Sequence, residues 1–196
     1  VLAADVPGFG DSASAADGRD ADGTVAPLAE GLRAIAGDAL PLSLVGFSFG
    51  GLCAGLLAAA EPALARHLVL VGAPALGING TRTTLTPWRD LTDPQARRAA
   101  HRANLAALML DRDASIDDDA ITLQALNAER DHMRGRRLFL TDILARTLRT
   151  LACPVDAIYG SRDALYRDRL ERLRAVLCEP PLVRELVLIE GGEIGR

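Results

Sequence analysis

Aromatic residues are scarce: four Phe, two Tyr and one Trp make up 4% of the 196 residues. A core is still within reach, because 49% of the chain is hydrophobic, but it has to be built mostly from Ala, Leu, Val and Ile. Cysteine is scarcer. The three present, Cys53, Cys153 and Cys178, are odd in number and far apart. That argues against a disulfide framework or a zinc site and reads as reduced core thiols of a cytoplasmic protein. No sign of charge dominates. With 22 basic and 26 acidic residues the net charge is −4, which gives no reason to expect nucleic acid or an anionic membrane as partner. No apolar run is long enough to cross a bilayer; the run Leu52 to Ala60 ends at Glu61-Pro62. Internal repeats and low-complexity segments are absent. At this length the chain is one domain, or one domain carrying a small insertion.

What the sequence does have is Leu42 to Ala59. A short apolar strand, Leu42 to Val45, runs into Gly46-Phe47-Ser48-Phe49-Gly50, and a helix rich in small residues follows. The turn matches G-x-S-x-G. Glycines two before and two after Ser48 predict a tight turn that larger side chains would obstruct. Such a turn lifts the hydroxyl off the strand end, beside the first N–H groups of the helix. Those groups lack intrahelical partners and carry the positive end of the dipole. A serine held there can attack a carbonyl, and the N–H of Phe49 can bind the resulting oxyanion. A structural Gly-rich turn is the plainer alternative.

Around this stretch the pattern alternates. Val1 to Asp5 reads as a buried strand end, followed by a shaped loop, Asp5-Val6-Pro7-Gly8-Phe9-Gly10-Asp11-Ser12. Ala13 to Gly23 reads as surface loop. A helix is expected from Val25 to about Ala39, capped by Thr24, with Leu28, Leu32 and Ile35 on its inner face. His67 to Gly72 is a continuous apolar run, as in a parallel strand covered on both faces. From Ile78 to about Leu151 no strand is evident. Helices are expected over Ala96–Leu110, Asp117–Met133 and Arg136–Leu151. Strands resume at Pro154 to Gly160 and Leu186 to Ile189, with a helix from Ala164 to Cys178 between them. The fold class is therefore α/β, a doubly wound, mostly parallel sheet. The core is expected at residues 1–77 and 152–196, with a helical cap insertion at 78–151.

Several of these pieces together resemble the α/β-hydrolase family, in the subgroup with a helical cap. They are Asp5-x-Pro7-Gly8-Phe9-Gly10-Asp11-Ser12, Gly46-Phe47-Ser48-Phe49-Gly50-Gly51, Leu68 to Pro74, and Pro154 to Gly160 leading into Asp163. The resemblance covers nearly the whole chain. It implies Ser48 as nucleophile, Asp163 as the acid that orients a histidine, and the Phe49 N–H as one oxyanion donor. It also implies a histidine after the last strand. There Gly192 is followed by Glu193. The family's earlier strands and second oxyanion donor have no match before Asp5, so the sequence reads as truncated at both ends. The cap stretch Asn104-Leu105-x-x-Leu108-Met109 with Ile116-Asp117-Asp118 resembles hydrolases that split carbon–carbon bonds. Those carry Asn just before the nucleophile, where this chain has Phe47. The expectation is a cytoplasmic esterase-like serine hydrolase acting on a small acyl compound, with no metal or cofactor and no nucleic-acid or membrane partner. The alternative, because the triad histidine is absent, is a non-catalytic relative or inactive fragment that binds a small ligand or partner.

The remaining polar candidates have plainer readings. His67 falls at the N-terminal edge of the sheet, away from where such sites open. His101 and His132 read as surface histidines on the cap. Asp168 reads as a solvated helix residue. Arg130, Arg134, Arg136, Arg137 and Arg146 read mostly as a charged face balanced by Asp117, Asp118, Asp119 and Glu129, although one or two could meet a substrate carboxylate. Trp88 reads as a pocket wall or a hydrophobic anchor.

Overall fold

The computed structural model describes residues 1–15, 20–78, 83–133 and 135–190. Arg134 and the Gly192-Glu193 step lie outside these residues. Four strands, β1 (Leu42–Phe47), β2 (Ala65–Val71), β3 (Val155–Gly160) and β4 (Val183–Ile189), form one parallel sheet in the order β1-β2-β3-β4. The register aligns Phe47 with Val71, Val71 with Ile158 and Ile158 with Val187. All four strands therefore end at one edge, and β1 reaches the residue just before Ser48.

Side chains alternate across a strand. One face carries Leu68, Leu70, Val155, Ala157 and Tyr159, all at most 1% exposed, in a single core cluster. Helices α2 (Phe49–Ala60), α5 (Ile143–Leu148) and α6 (Leu170–Cys178) contribute Leu52, Leu144, Leu148, Leu173 and Leu177 to the same cluster. The opposite face carries Val45, Phe47, Val187 and Ile189, which are exposed among the described residues.

The small residues of α2 have a packing reason. A Cβ on Gly51 would stand 2.7 Å from the Ala73 Cβ, and one on Gly55 would stand 2.5 Å from Leu144 Cδ1. The helix thus approaches both the loop after β2 and helix α5 closely. Helix α1 (Val25–Ala36) packs through Ala29, Val25, Leu28 and Leu32 onto Leu57 and Leu64. Ile35 was expected on this face but is 69% exposed and lies outside that cluster. Thr24 occupies the cap position without capping; its hydroxyl donates to the Ala21 carbonyl. The expected surface loop before it is partly core. Asp20 caps a 3-10 turn over Ala21–Thr24 in which Ala21 and Thr24 are fully buried.

Helices α3 (Pro94–Leu108) and α4 (Asp118–Glu129) start on carboxylate caps. Asp93 accepts from Gln95 and Ala96 N–H, and Asp117 from Ala120 N–H. They share a small core of their own, Leu105, Ile116 and Ile121. Two other expected helices are shorter than the pattern suggested. Before α5, the Leu138 N–H donates to Asp20 and the Thr141 hydroxyl to the Leu138 carbonyl. Before α6, the Leu165 N–H donates to the Asp163 side chain. Such local bonds offer the backbone an alternative to the helical ladder. At the chain's start, residues 1–5 form no strand, and Val1 to Asp5 are exposed. The three cysteines are free; Cys53 and Cys153 are buried as expected, but Cys178 is exposed. No helix among the described residues is long and apolar enough to cross a membrane.

Candidate active site

Ser48 stands between β1 and α2 with φ 47° and ψ −121°. A non-glycine residue with positive φ is uncommon and strained, and outliers of this kind cluster at functional sites. The turn is closed from both sides. Ser48 N–H donates to the Val71 carbonyl at 2.8 Å, and Gly51 N–H donates back to the Ser48 carbonyl at 2.8 Å. The Ser48 side chain makes no capping bond to the helix that follows. Phe49 is the first residue of α2, so its N–H has no carbonyl one turn earlier in the helix.

The two glycines of the G-x-S-x-G pattern are not equivalent. A Cβ on Gly46 would stand 2.5 Å from the Gly50 carbonyl oxygen and from the Gly51 Cα. A Cβ on Gly50 would meet nothing within 4 Å. The expectation that both sides of the turn exclude side chains therefore holds for Gly46, and its other half falls on Gly51, packed against Ala73.

Asp163 follows β3 in the turn between Gly160 and Arg167 and is 0% exposed. Its N–H donates to the Gly160 carbonyl, and its carbonyl accepts from Tyr166 and Arg167. The side chain accepts from Leu165 N–H at 2.8 Å. The chain's only two tyrosines meet beside it. Tyr159 and Tyr166 stack edge to face at 5.4 Å, and both hydroxyls donate to the Ala73 carbonyl, at 2.9 and 2.8 Å. Burial first, and the Asp163 charge besides, push both phenol pKa values above their ordinary range. This buried pair joins the loop after β2 to the turn carrying Asp163. Nothing in the sequence pattern pointed to it except the rarity of tyrosine.

Ser48 and Asp163 thus sit at the same edge of the sheet, on β1 and β3, with β2 between them. Two strand spacings amount to roughly 10 Å, the room needed for a third group to bridge them. The described histidines are placed elsewhere. His67 Nε2 lies 2.8 Å from Asp156, which also pairs with Arg184. His101 was expected at the surface but is 2% exposed within the α3–α4 pair. His132 is exposed, and its N–H donates to the Gly8 carbonyl. Asp168 is exposed in a 3-10 turn, Arg167–Arg169.

Above the elbow lies the Asp5–Ser12 loop. Asp11 N–H donates to the Asp5 carboxylate and the Ser12 hydroxyl to the Asp5 carbonyl. The Phe9 ring packs against Phe49 at 5.8 Å, and the Arg136 guanidinium lies 5.2 and 5.4 Å from these two rings. Three of the arginines read as a charged face are paired, but not with the expected acids: Arg130 with Asp11, Arg136 with Asp131, and Arg146 with Asp142, while Asp118 and Glu129 pair with Arg98 and Arg97.

A parallel α/β sheet with a strained serine at a strand–helix junction and a buried carboxylate at the same edge defines a hydrolase-type fold. The model of the alpha/beta hydrolase family matches residues 1–192, and the chain belongs to that family. Solved structures share the fold. An esterase from Rhodococcus sp. ECU1013 is 22% identical with a TM-score of 0.66, over 97% of this chain and 72% of that one. A bromoperoxidase from Bacillus anthracis is 20% identical with a TM-score of 0.67, over 96% and 72%. A serine hydrolase from Cycloclasticus zankles is 17% identical with a TM-score of 0.71, over 97% and 71%. Among curated proteins, none matches the chain in sequence.

Proposed function

We propose that the protein is a serine hydrolase acting on a small ester or related acyl compound through an acyl-enzyme. The observation that carries this is Ser48 held at φ 47° at the start of α2. Ser48 Oγ attacks the acyl carbonyl carbon while its proton passes to a base. The oxyanion is stabilised by the Phe49 N–H. Collapse breaks the bond to the leaving oxygen, which takes the proton. Water then attacks the acyl-enzyme and releases the acid, regenerating Ser48. Asp163 would orient an imidazole base; the resemblance puts that histidine after the last strand, and none of the chain's three, His67, His101 and His132, lies there. The chemistry uses side chains, a backbone N–H and water. Free thiols at Cys53, Cys153 and Cys178 support a reducing, cytoplasmic setting.

A second reading is a relative that binds a small ligand or partner without turning it over. The placement of His67 on Asp156 and of His101 inside the cap favours it, since neither is in position to serve Ser48. Intact-mass analysis after exposure to a serine-directed fluorophosphonate separates the two. A single adduct on the parent and none on Ser48→Ala is the expected result. No adduct on protein with a cooperative melt would sink the hydrolase reading and leave the binding one.

A further inference from the structure

We infer that the cleft between α3 and α4 is a binding site for a small, neutral, largely apolar molecule bearing one hydroxyl group, a phenol for example, with His101 as its hydrogen-bonding partner. The cleft is open to solvent on one side, has a volume of about 250 Å³, and is lined only by these two helices, with no residue of the sheet or the serine turn. A cavity of roughly 150 Å³ already holds a benzene ring. Ile121, Ala125 and Leu126 supply apolar wall.

His101 marks the cleft as more than a surface dimple. The side chain is 2% exposed and lines the cleft, yet neither ring nitrogen has a hydrogen-bond partner. A buried polar group without a partner is costly and uncommon in a folded protein. The ring is also held in place, because Trp88 packs against it with centroids 4.8 Å apart. Both nitrogens are shielded from water, so an occupant reaches them by displacing a rim side chain. Arg97, 37% exposed and also lining the cleft, is that side chain, and its displacement breaks a half-exposed ion pair with Glu129 and a contact over the Trp88 ring.

Charge selects the ligand class. The rim cations are already neutralised, Arg97 by Glu129 at 2.7 Å and Arg98 by Asp118, so an anion gains little there. Burial, and then the Arg97 charge, press the His101 pKa below its ordinary value. The neutral ring has one N–H donor and one bare acceptor nitrogen. A hydroxyl serves whichever nitrogen faces the cleft, since it can donate or accept; a carboxylate can only accept.

Trp88, the chain's one tryptophan, reports on the site. The test is titration of the full protein with phenol and, separately, with toluene, followed by indole emission excited at the red edge of its band. The expected result is saturable quenching by phenol with at least tenfold tighter binding than toluene. His101→Phe should abolish the preference, and Ala125→Phe, which fills the cleft, should abolish the response. Equal affinity for the two probes, or no saturable change up to the solubility limit, overturns the inference, and both outcomes are read on the parent protein alone. Quenching that persists in Ala125→Phe places the probe elsewhere and overturns it too. If His101→Phe does not fold, His101→Gln takes its place and should retain part of the phenol preference. This outcome is independent of fluorophosphonate labelling at Ser48.

Discussion

Replacing Ser48 by Gly should make the protein more stable than replacing it by Ala, although both remove the nucleophile. The pair φ 47°, ψ −121° is the mirror image of an ordinary extended conformation. A residue with a Cβ is strained there by about 1–3 kcal/mol, whereas glycine populates mirror-image regions freely. Ser48→Ala keeps the Cβ and keeps the strain. Ser48→Gly releases it but enlarges the unfolded ensemble, at about 0.4–1 kcal/mol. Taking the middle of both ranges, the balance favours Gly over Ala by about 1.3 kcal/mol. For a chain of this length that is a difference of about 3–5 °C in Tm. Parallel melts by circular dichroism, with fluorophosphonate labelling as the control that both variants are dead, would decide it. If Ser48→Gly melts at or below Ser48→Ala, the turn is not strained at Ser48, and the main observation behind the nucleophile assignment loses its force.

Two further outcomes follow from the same geometry and burial. Gly46→Ala pushes a methyl group into the Gly50 and Gly51 backbone, overpacking that costs about 1–3 kcal/mol or more, while Gly50→Ala enters open space in a helix and gains about 0.4–1 kcal/mol; melting both variants should give Tm shifts of opposite sign, and shifts of one sign refute the unequal roles. Stability should also fall in alkali. Burial pushes the Cys53 thiol up to about 11 from 9.0, so the folded state holds its proton longer than the unfolded chain. That contribution is present in full below pH 9.0 and is lost as pH rises through about 11. The two-unit gap is worth about 2–3 kcal/mol, and the raised Tyr159 and Tyr166 pKa values act in the same direction. Urea melts on either side of this window should show a loss that Cys53→Ala reduces by about that amount; an unchanged loss in the variant would rule out Cys53 as a source.

The sheet was legible because its strands are short apolar runs bounded by Gly and Pro, and β1, β2 and β3 fell within two residues of their expected limits. Helix lengths were less so. Periodicity between Arg136 and Leu151, or after Ala164, is satisfied by a helix, but the bonds that shorten those helices run from Leu138 to Asp20 and from Leu165 to Asp163. The first joins residues more than a hundred positions apart, which no local pattern reports. The same holds for Ile35. Its spacing from Leu28 and Leu32 is right for one face, yet the cluster it would join involves Leu57 and Leu64, and their reach along α1 is a tertiary fact. At the site, the G-x-S-x-G pattern located the turn but credited Gly50 with the contact that Gly51 makes. That contact depends on Ala73, which arrives from the loop after β2. His101 was misplaced for a similar reason: a lone histidine among alanines and arginines looks solvated until Trp88 is folded onto it.

The Asp5–Ser12 loop shows why a motif read as a strand-end loop matters to the whole site. Its backbone is joined to the segment after α4 by two hydrogen bonds, Gly10 N–H to the Arg130 carbonyl and His132 N–H to the Gly8 carbonyl, which together make the Phe9–Asp131 antiparallel bridge. Gly8 and Gly10 have φ of 89° and 56°, and a Cβ on Gly10 would run into the Asp5 carboxylate. The glycines are therefore what lets a backbone folded on itself come within hydrogen-bonding distance of another segment. Between the two lies Phe9, with its ring on Phe49 and the Arg136 guanidinium over both rings. Each exposed hydrogen bond of this kind is worth about 0.5–1.5 kcal/mol, so the two together are worth about 1–3 kcal/mol. The main core beneath it is a sheet face closed by three helices. If the α3–α4 pair moves relative to the sheet, the weaker of these two connections yields first. Phe9 is then the residue whose position over Phe49, and so beside Ser48, changes with it.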